Sequence, residues 1–320
     1  MTFYLINRER QLINFQNDRT SILSYPAFPG GQVRRFRNEK VNLLINEILS
    51  DLFSIRYKVF QFSDRQKIES VSHTVGIHSR VMLQSEIHLS IESLGALHQK
   101  EGTISLLSGQ VGSSIATMEA GVEYRALDIS AGRELASQLV QSFPEAKFNS
   151  QNLRNLCPYP FFISPALHKV IDEILDCPYD KATSHFYFDV KVREYFYLLL
   201  KECTGLKELK YRFTPFEMDG LLQAREILLS DLTQPPLTIR KLAQKVGMNE
   251  FKLKVGFAQF FKTGVFECFQ RARMYKVKQL LLQTNKPIKD ICSLAGYPRM
   301  TNFITAFRKF FGHTPGSLRR

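Results

Sequence analysis

The chain has 320 residues, is 44% hydrophobic and 23% charged, and carries 43 Lys+Arg against 30 Asp+Glu, a formal net charge of +13. That length admits two domains, and the composition excludes a disordered polymer. Gly220 to Arg320 holds 18 basic and 5 acidic side chains, so the whole positive excess lies there and the preceding part is neutral; a small basic part of this kind is built to face a polyanion, nucleic acid or an anionic membrane.

Met1 to Glu9 lack the basic start, long apolar core and small-residue cleavage site of a secretory signal, which sets the expectation of a cytoplasmic protein. The densest apolar run, Tyr195 to Leu200, is far shorter than the roughly 20 residues that span a bilayer, so no membrane partner is expected. Cys157, Cys177, Cys203, Cys268 and Cys292 are odd in number, widely spaced and never in a CxxC pair. They read as reduced thiols, with no metal, catalytic or cofactor site implied. Cys157-Pro158-Tyr159 and Cys177-Pro178-Tyr179 read as punctuation between segments.

From Val71 to Ile91 the odd positions are largely apolar and most even ones polar, the period of strands with one buried face. Gly76, Gly95, Gly102, Gly109, Gly112 and Gly121 then punctuate short segments, as in a sandwich or barrel. On that alternation His73 faces one way and His78, His88 and His98 the other, which argues against a shared metal. Helices follow. Ser164-Pro165 supplies an N-cap and an N1 proline before Leu167, Val170, Ile171, Ile174 and Leu175 at helical spacing. A second helix is expected from about Thr183 to Cys203, stopping near Gly205. Its Val190, Val192, Tyr195, Phe196, Leu198, Leu199 and Leu200 cover much of the circumference, which fits burial in its own domain or a homodimer face.

Thr214-Pro215-Phe216-Glu217 has the form of a capping box. The expected fold is therefore α+β: a β-rich, sensor-like or dimerisation domain at 1–205, helical after about residue 130, then a linker at 206–213 and an all-α domain at 214–320. A helix carrying Leu221, Leu222, Ile227 and Leu228 ends before the break at Pro235-Pro236. Beyond it the chain repeats. Ile239, Leu242, Ala243, Val246 and Gly247 recur 49 residues later as Ile288, Ile291, Cys292, Ala295 and Gly296; Leu253, Phe257, Phe260 and Phe261 recur 50 residues later as Phe303, Phe307, Phe310 and Phe311. Each unit is an apolar helix, a glycine suited to a left-handed turn, and a second helix, which is helix-turn-helix spacing at about 238–264 and again at 287–314.

In such a unit the outer face of the second helix enters a major groove. The first unit offers Glu250, Lys252, Lys254, Val255 and Gln259; the second offers Arg299, Met300, Thr301, Asn302, Thr305 and Arg308. Phe266 to Leu282 reads as one linking helix of roughly 26 Å, able to hold two reading heads in successive major grooves about 34 Å apart. One chain would then read an asymmetric site.

At these residues Leu237 to Arg320 resembles the DNA-binding domain of the AraC/XylS family of bacterial transcription regulators. Gly247-Met248-Asn249-Glu250-Phe251-Lys252-Leu253-Lys254 resembles the branch that includes siderophore-responsive regulators. Gly296-Tyr297, with Phe303, Phe307 and Phe311-Gly312-His313-Thr314-Pro315, resembles the family signature. The resemblance implies promoter DNA and RNA polymerase as partners, an activator role, and an N-terminal half that binds a small-molecule effector or a second copy. It carries recognition roles to Phe251, Lys254 and Val255, and to Met300, Thr301, Asn302, Ile304 and Thr305. Two positions depart from the pattern. Val255 replaces a basic residue, which suits a thymine methyl, and Lys262 stands where the second unit has Gly312, implying a different turn.

The Phe257, Phe260, Phe261, Phe303, Phe307, Phe310 and Phe311 stripe reads as core and not as a base-stacking platform. Arg271, Arg273, Lys276 and Lys278 divide between phosphate contacts, solvent and, for Arg273, structure. Arg34, Arg35 and Arg37 read as a solvated loop. The rival reading is a DNA-targeted enzyme such as an alkyl-transfer repair protein. It requires a reactive cysteine, and neither Cys157 nor Cys177 is followed by the His-Arg such proteins place after theirs.

Overall fold

A computed structural model describes residues 3–6, 16–17, 25–26, 28–72, 75–92, 94–110, 112–144, 154–155, 161–205 and 213–319. The chain divides into two compact units, Met1–Glu208 and Leu209–Arg320. The expected linker at 206–213 lies, except for Phe213, outside the described residues, as do His73 and the Cys157-Pro158-Tyr159 tripeptide.

The first unit runs β1 (Phe3–Ile6), β2 (Gln16–Asn17), β3 (Gln32–Arg37), β4 (Val41–Leu49), β5 (Phe53–Phe62), β6 (Gln66–Ser72), β7 (Val75–Gln84), β8 (Ile87–Ile91), β9 (Gly95–Gln99), β10 (Thr103–Gln110), β11 (Ser113–Met118) and β12 (Glu123–Gly132). Helix α1 (Arg133–Ser142), short strands β13 (Arg154–Asn155) and β14 (Phe161–Phe162), and helices α2 (Pro165–Leu175) and α3 (Lys181–Gly205) follow. A five-stranded antiparallel sheet has the order β1-β6-β11-β8-β9, and a nine-stranded sheet the order β13-β10-β7-β12-β5-β4-β3-β2, with β14 on β10.

Two cores make this unit three-layered. Leu43, Phe62 and Met82 of the larger sheet pack with Ile68, Ile87, Leu89, Ile91 and Ala116 of the smaller one. The opposite face of the larger sheet, through Ile55, Ile77, Val81, Leu127 and Ile129, packs on Leu135 of α1, Ile171 of α2 and Val192, Phe196 and Leu199 of α3. Helix α2 starts as its sequence indicates, with the Ser164 hydroxyl accepting the Leu167 N–H.

The expected alternation with one buried face describes β8, where Ile87, Leu89 and Ile91 are buried and His88 and Ser90 exposed. In β7 it fails, because that strand sits mid-sheet with a layer on each side. Its even residues point between the two sheets. His78 lies 3.1 Å from the Ser130 hydroxyl, and the Arg80 Nε donates to Asp128 at 2.9 Å. Lys58, 3% exposed, donates to the same carboxylate at 2.5 Å. Nearby, Glu47 pairs with Arg56 at 2.8 Å and with Arg34 at 2.6 Å, so Arg34 is an ion-pair partner and not a solvated loop residue. By strand alternation these charges share the face of Leu43, Phe62 and Met82.

Burial alone would raise the Asp128 carboxyl, but the Arg80 guanidinium and the Lys58 ammonium, with their hydrogen bonds, hold it well below the usual carboxylate range. Burial pushes Lys58 down to about 8 against the pull of Asp128.

The histidine expectation needs correction. His78 is inside the larger sheet, whereas His88 and His98 are directly paired on β8 and β9 of the smaller one and both exposed. The turn at Ser85, with φ 67°, resets the alternation between β7 and β8. A second correction concerns the thiols. Cys177, Cys268 and Cys292 are free, but Cys203 is disulfide-bonded, because spacing along a chain says nothing about the Cα separation that decides pairing. No helix among the described residues is long and apolar enough to cross a membrane.

The second unit is helical: α4 (Pro215–Leu229), α5 (Ile239–Lys245), α6 (Glu250–Phe260), α7 (Val265–Gln283), α8 (Ile288–Leu294), α9 (Met300–Phe311) and a final 3-10 turn, Ser317–Arg319. The capping box is formed: the Thr214 N–H donates to Glu217 at 2.9 Å, and the Glu217 N–H to the Thr214 hydroxyl at 3.2 Å.

Candidate DNA interface

Two helix pairs, α5–α6 and α8–α9, carry the candidate residues. In both, the turn glycine is left-handed, Gly247 at φ +66° and Gly296 at φ +70°. Gly296 has a second constraint, since a Cβ there would lie 2.0 Å from the Thr233 carbonyl oxygen. The apolar positions of the repeat bury as the period requires: Leu242, Ala243, Leu253 and Phe257 in the first pair, and Ile291, Cys292, Phe303 and Phe307 in the second. Helix α7 joins them with 19 residues, roughly 28 Å of straight helix.

With the inner faces fixed, the remaining positions of α6 and α9 point outward. On α6, Phe251, Lys254 and the half-buried Val255 and Gln259 share the outer arc, with Glu250 exposed at its start. On α9 the same arc carries Thr301, Asn302, Ile304, Thr305 and Arg308, all exposed. Ala258 and Lys309 join them at exposed positions; the 50-residue register that aligned the phenylalanines would have located both. Arg299 is exposed where α9 begins with no side-chain cap, so the positive helix end and a guanidinium lie together, an arrangement suited to phosphate.

Two candidate residues are drawn into the scaffold. The Lys252 ammonium is ion-paired with Glu217 of α4, and it holds that carboxyl below its ordinary range, with the Thr214 N–H assisting. Met300 is half-buried and packs against the second core. Arg273 is structural: its guanidinium donates to the carbonyls of Leu232 at 2.8 Å and Gln234 at 2.7 Å, and it lies 4.5 Å over the Phe269 ring. After α6 the turn differs slightly, as expected: α6 is capped by Phe261 in the right-handed region, whereas α9 runs one residue further and is capped by Gly312 in the left-handed one. Lys262 at φ 53° still occupies the left-handed region that Gly312 holds at φ 82°; a non-glycine residue there costs about 1–2 kcal/mol.

The thiols in this unit are poor nucleophiles, since burial pushes both Cys268 and Cys292 up.

Residues 47–208, half of the chain, match the family model of the regulatory protein PchR N-terminal domain, and residues 242–320 match a helix-turn-helix domain model. The transcriptional regulator ArgR of Pseudomonas aeruginosa is 30% identical over 28% of this chain and 27% of its own length. The regulatory protein PchR of the same organism is 36% identical over 22% of this chain and 23% of its own. These alignments span only about a quarter of either relative. A solved AraC-type DNA-binding regulator from Chromobacterium violaceum is 25% identical, covering 33% of this chain and 94% of that one at a TM-score of 0.30.

Proposed function

The chain belongs to the AraC family of DNA-binding transcription regulators and has a PchR-type N-terminal domain, and from that premise we propose that it is an activator reading an asymmetric promoter site with α6 and α9. The observation that carries this reading is the pair of outward faces repeated 50 residues apart on two glycine-turned helix pairs. Phe251, Lys254, Val255 and Gln259 read one groove; Thr301, Asn302, Ile304, Thr305 and Arg308 read the next, with Arg299 at a phosphate. Glu250 repels the backbone and limits approach. RNA polymerase is recruited once the site is filled.

Lys254 and Lys252 separate base reading from scaffolding. Lys254→Ala is expected to weaken binding to the recovered promoter fragment by about 1–3 kcal/mol and random DNA much less. Lys252→Ala, which loses the Glu217 ion pair, is expected to change DNA affinity little and stability by under about 1 kcal/mol. Fluorescence anisotropy with both DNAs measures this; equal losses for the two variants would remove Lys254 as a reader.

We infer that the first unit senses a small molecule and pairs two copies. Sensing is supported by a cleft of about 230 Å³ lined in part by Lys181, Ser184 and His185. Small molecules handled by the products of the regulated genes should raise the melting temperature of the full chain, and a set of them without effect would contradict sensing. Pairing is supported by α3, which buries Val192, Tyr195, Phe196, Leu199 and Leu200 in its own unit yet leaves Phe186 at 76%, Val190 at 47% and Tyr197 at 50% exposure. These three lie on one stripe and suit a second copy. In sedimentation velocity Phe186→Glu/Val190→Glu should convert dimer to monomer; a wild-type monomer at tens of micromolar would end that reading.

A further inference from the structure

We propose that the β8–β9 hairpin carries a site for a divalent cation of the zinc class, formed by His88, His98 and Glu86. His88 and His98 are direct cross-strand partners on the two strands. Their rings stand 4.1 Å apart at an interplanar angle of 11°. Glu86 comes from the turn before β8, and its Oε2 is 3.2 Å from the His98 Nε2. One donor atom from each of the three residues lies within 4.8 Å of the others, and all three side chains are exposed.

Two imidazoles and a carboxylate are a donor set that suits zinc and its neighbours in the transition series and does not suit calcium or magnesium, which take oxygen ligands. Tetrahedral coordination at about 2.0–2.1 Å places donor nitrogens roughly 3.3 Å apart, so modest side-chain rotation closes the set. A paired hairpin gives two of the three ligands little to lose on binding, because the opposed backbone positions are already fixed. Water fills the fourth position.

The site is separate from the charges between the sheets. Ile87 and Leu89, which flank His88, point into the core, so His88 points away from it. Strand β9 is the edge of its sheet, and an ion bridging it to β8 would brace that edge.

The probe is Zn²⁺ alone, titrated by calorimetry into the metal-free full chain without reductant, so that the Cys203 disulfide stays closed. The expected result is one more zinc equivalent for the wild type than for His88→Ala/His98→Ala, with Glu86→Gln weakened at least about ten-fold and no competition from millimolar Ca²⁺. Because the side chains are exposed, the variants should match the wild-type far-UV spectrum and metal-free melting temperature. Zinc binding that is identical in the wild type and the double variant would assign the metal to thiols or other groups and overturn the proposal. No binding by the wild type at 100-micromolar zinc would do the same.

Discussion

Replacing Asp128 with alanine is expected to destabilise the N-terminal unit by about 3–5 kcal/mol, the cost of removing one partner from a buried ionic group. The carboxylate is shared. Lys58 donates to it at 2.5 Å, and Arg80 through two nitrogens at 2.9 and 3.0 Å. Removing it leaves the buried Lys58 ammonium beside the partly buried Arg80 guanidinium without their common counter-ion. The melting transition of that unit, followed by circular dichroism, should fall by many degrees, and a change below 1 kcal/mol would show that the layer is hydrated. The same carboxyl predicts acid sensitivity. Its folded-state value lies below the ordinary one, so its stabilisation is present above about pH 4 and is lost as pH falls toward the folded value. Asp128→Asn should be less stable at neutral pH and lose part of that acid dependence.

The second large effect is expected at a residue that touches no DNA. Phe307 is fully buried between Phe303 and Phe311, with ring centroids 6.1 and 4.7 Å away, and truncating it to alanine should cost about 3–5 kcal/mol. Because the exposed arc of α9 is positioned by the packing of this inner face, Phe307→Ala should abolish specific DNA binding together with the thermal transition of the C-terminal unit. Thr305→Ala is the contrast. It sits on the exposed arc, so it should lower affinity while leaving the melting temperature nearly unchanged. If Phe307→Ala melted normally and still failed to bind, the phenylalanine stripe would have a role beyond packing.

The C-terminal unit was legible in the sequence because its two constraints are local and repeated. A buried stripe at helical spacing and a glycine at φ near +70° occur twice in the same register, and Thr214 with Glu217 announces the start of α4. What was not legible depends on distant partners. Lys252 reads as a surface lysine until Glu217, 35 residues earlier, is seen to hold it. Arg273 has the same character, as its acceptors are backbone carbonyls 39 and 41 residues away.

In the N-terminal unit the misreadings share one cause. The alternation from Val71 to Ile91 implies one buried face, but His78 and Arg80 at its polar positions lie between two sheets, held by Ser130 and Asp128. Alternation specifies which residues share a face of a strand, not what covers that face. For the same reason it could not bring His88 and His98 together, since their pairing follows from the register of a hairpin.

The most direct test of the DNA-binding account is the salt dependence of affinity between the full chain and a genomic fragment it recovers. Lysine and arginine contacts to phosphate release counter-ions, so the logarithm of affinity should fall linearly with the logarithm of salt, by about 0.9 for each phosphate neutralised. Contacts from two helix pairs and Arg299 predict a slope of several such units on the recovered fragment, steeper for the unaltered chain than for Arg308→Ala, which loses one cation of α9. Affinity that does not change with salt, or that is no tighter for the recovered fragment than for random DNA, would contradict it.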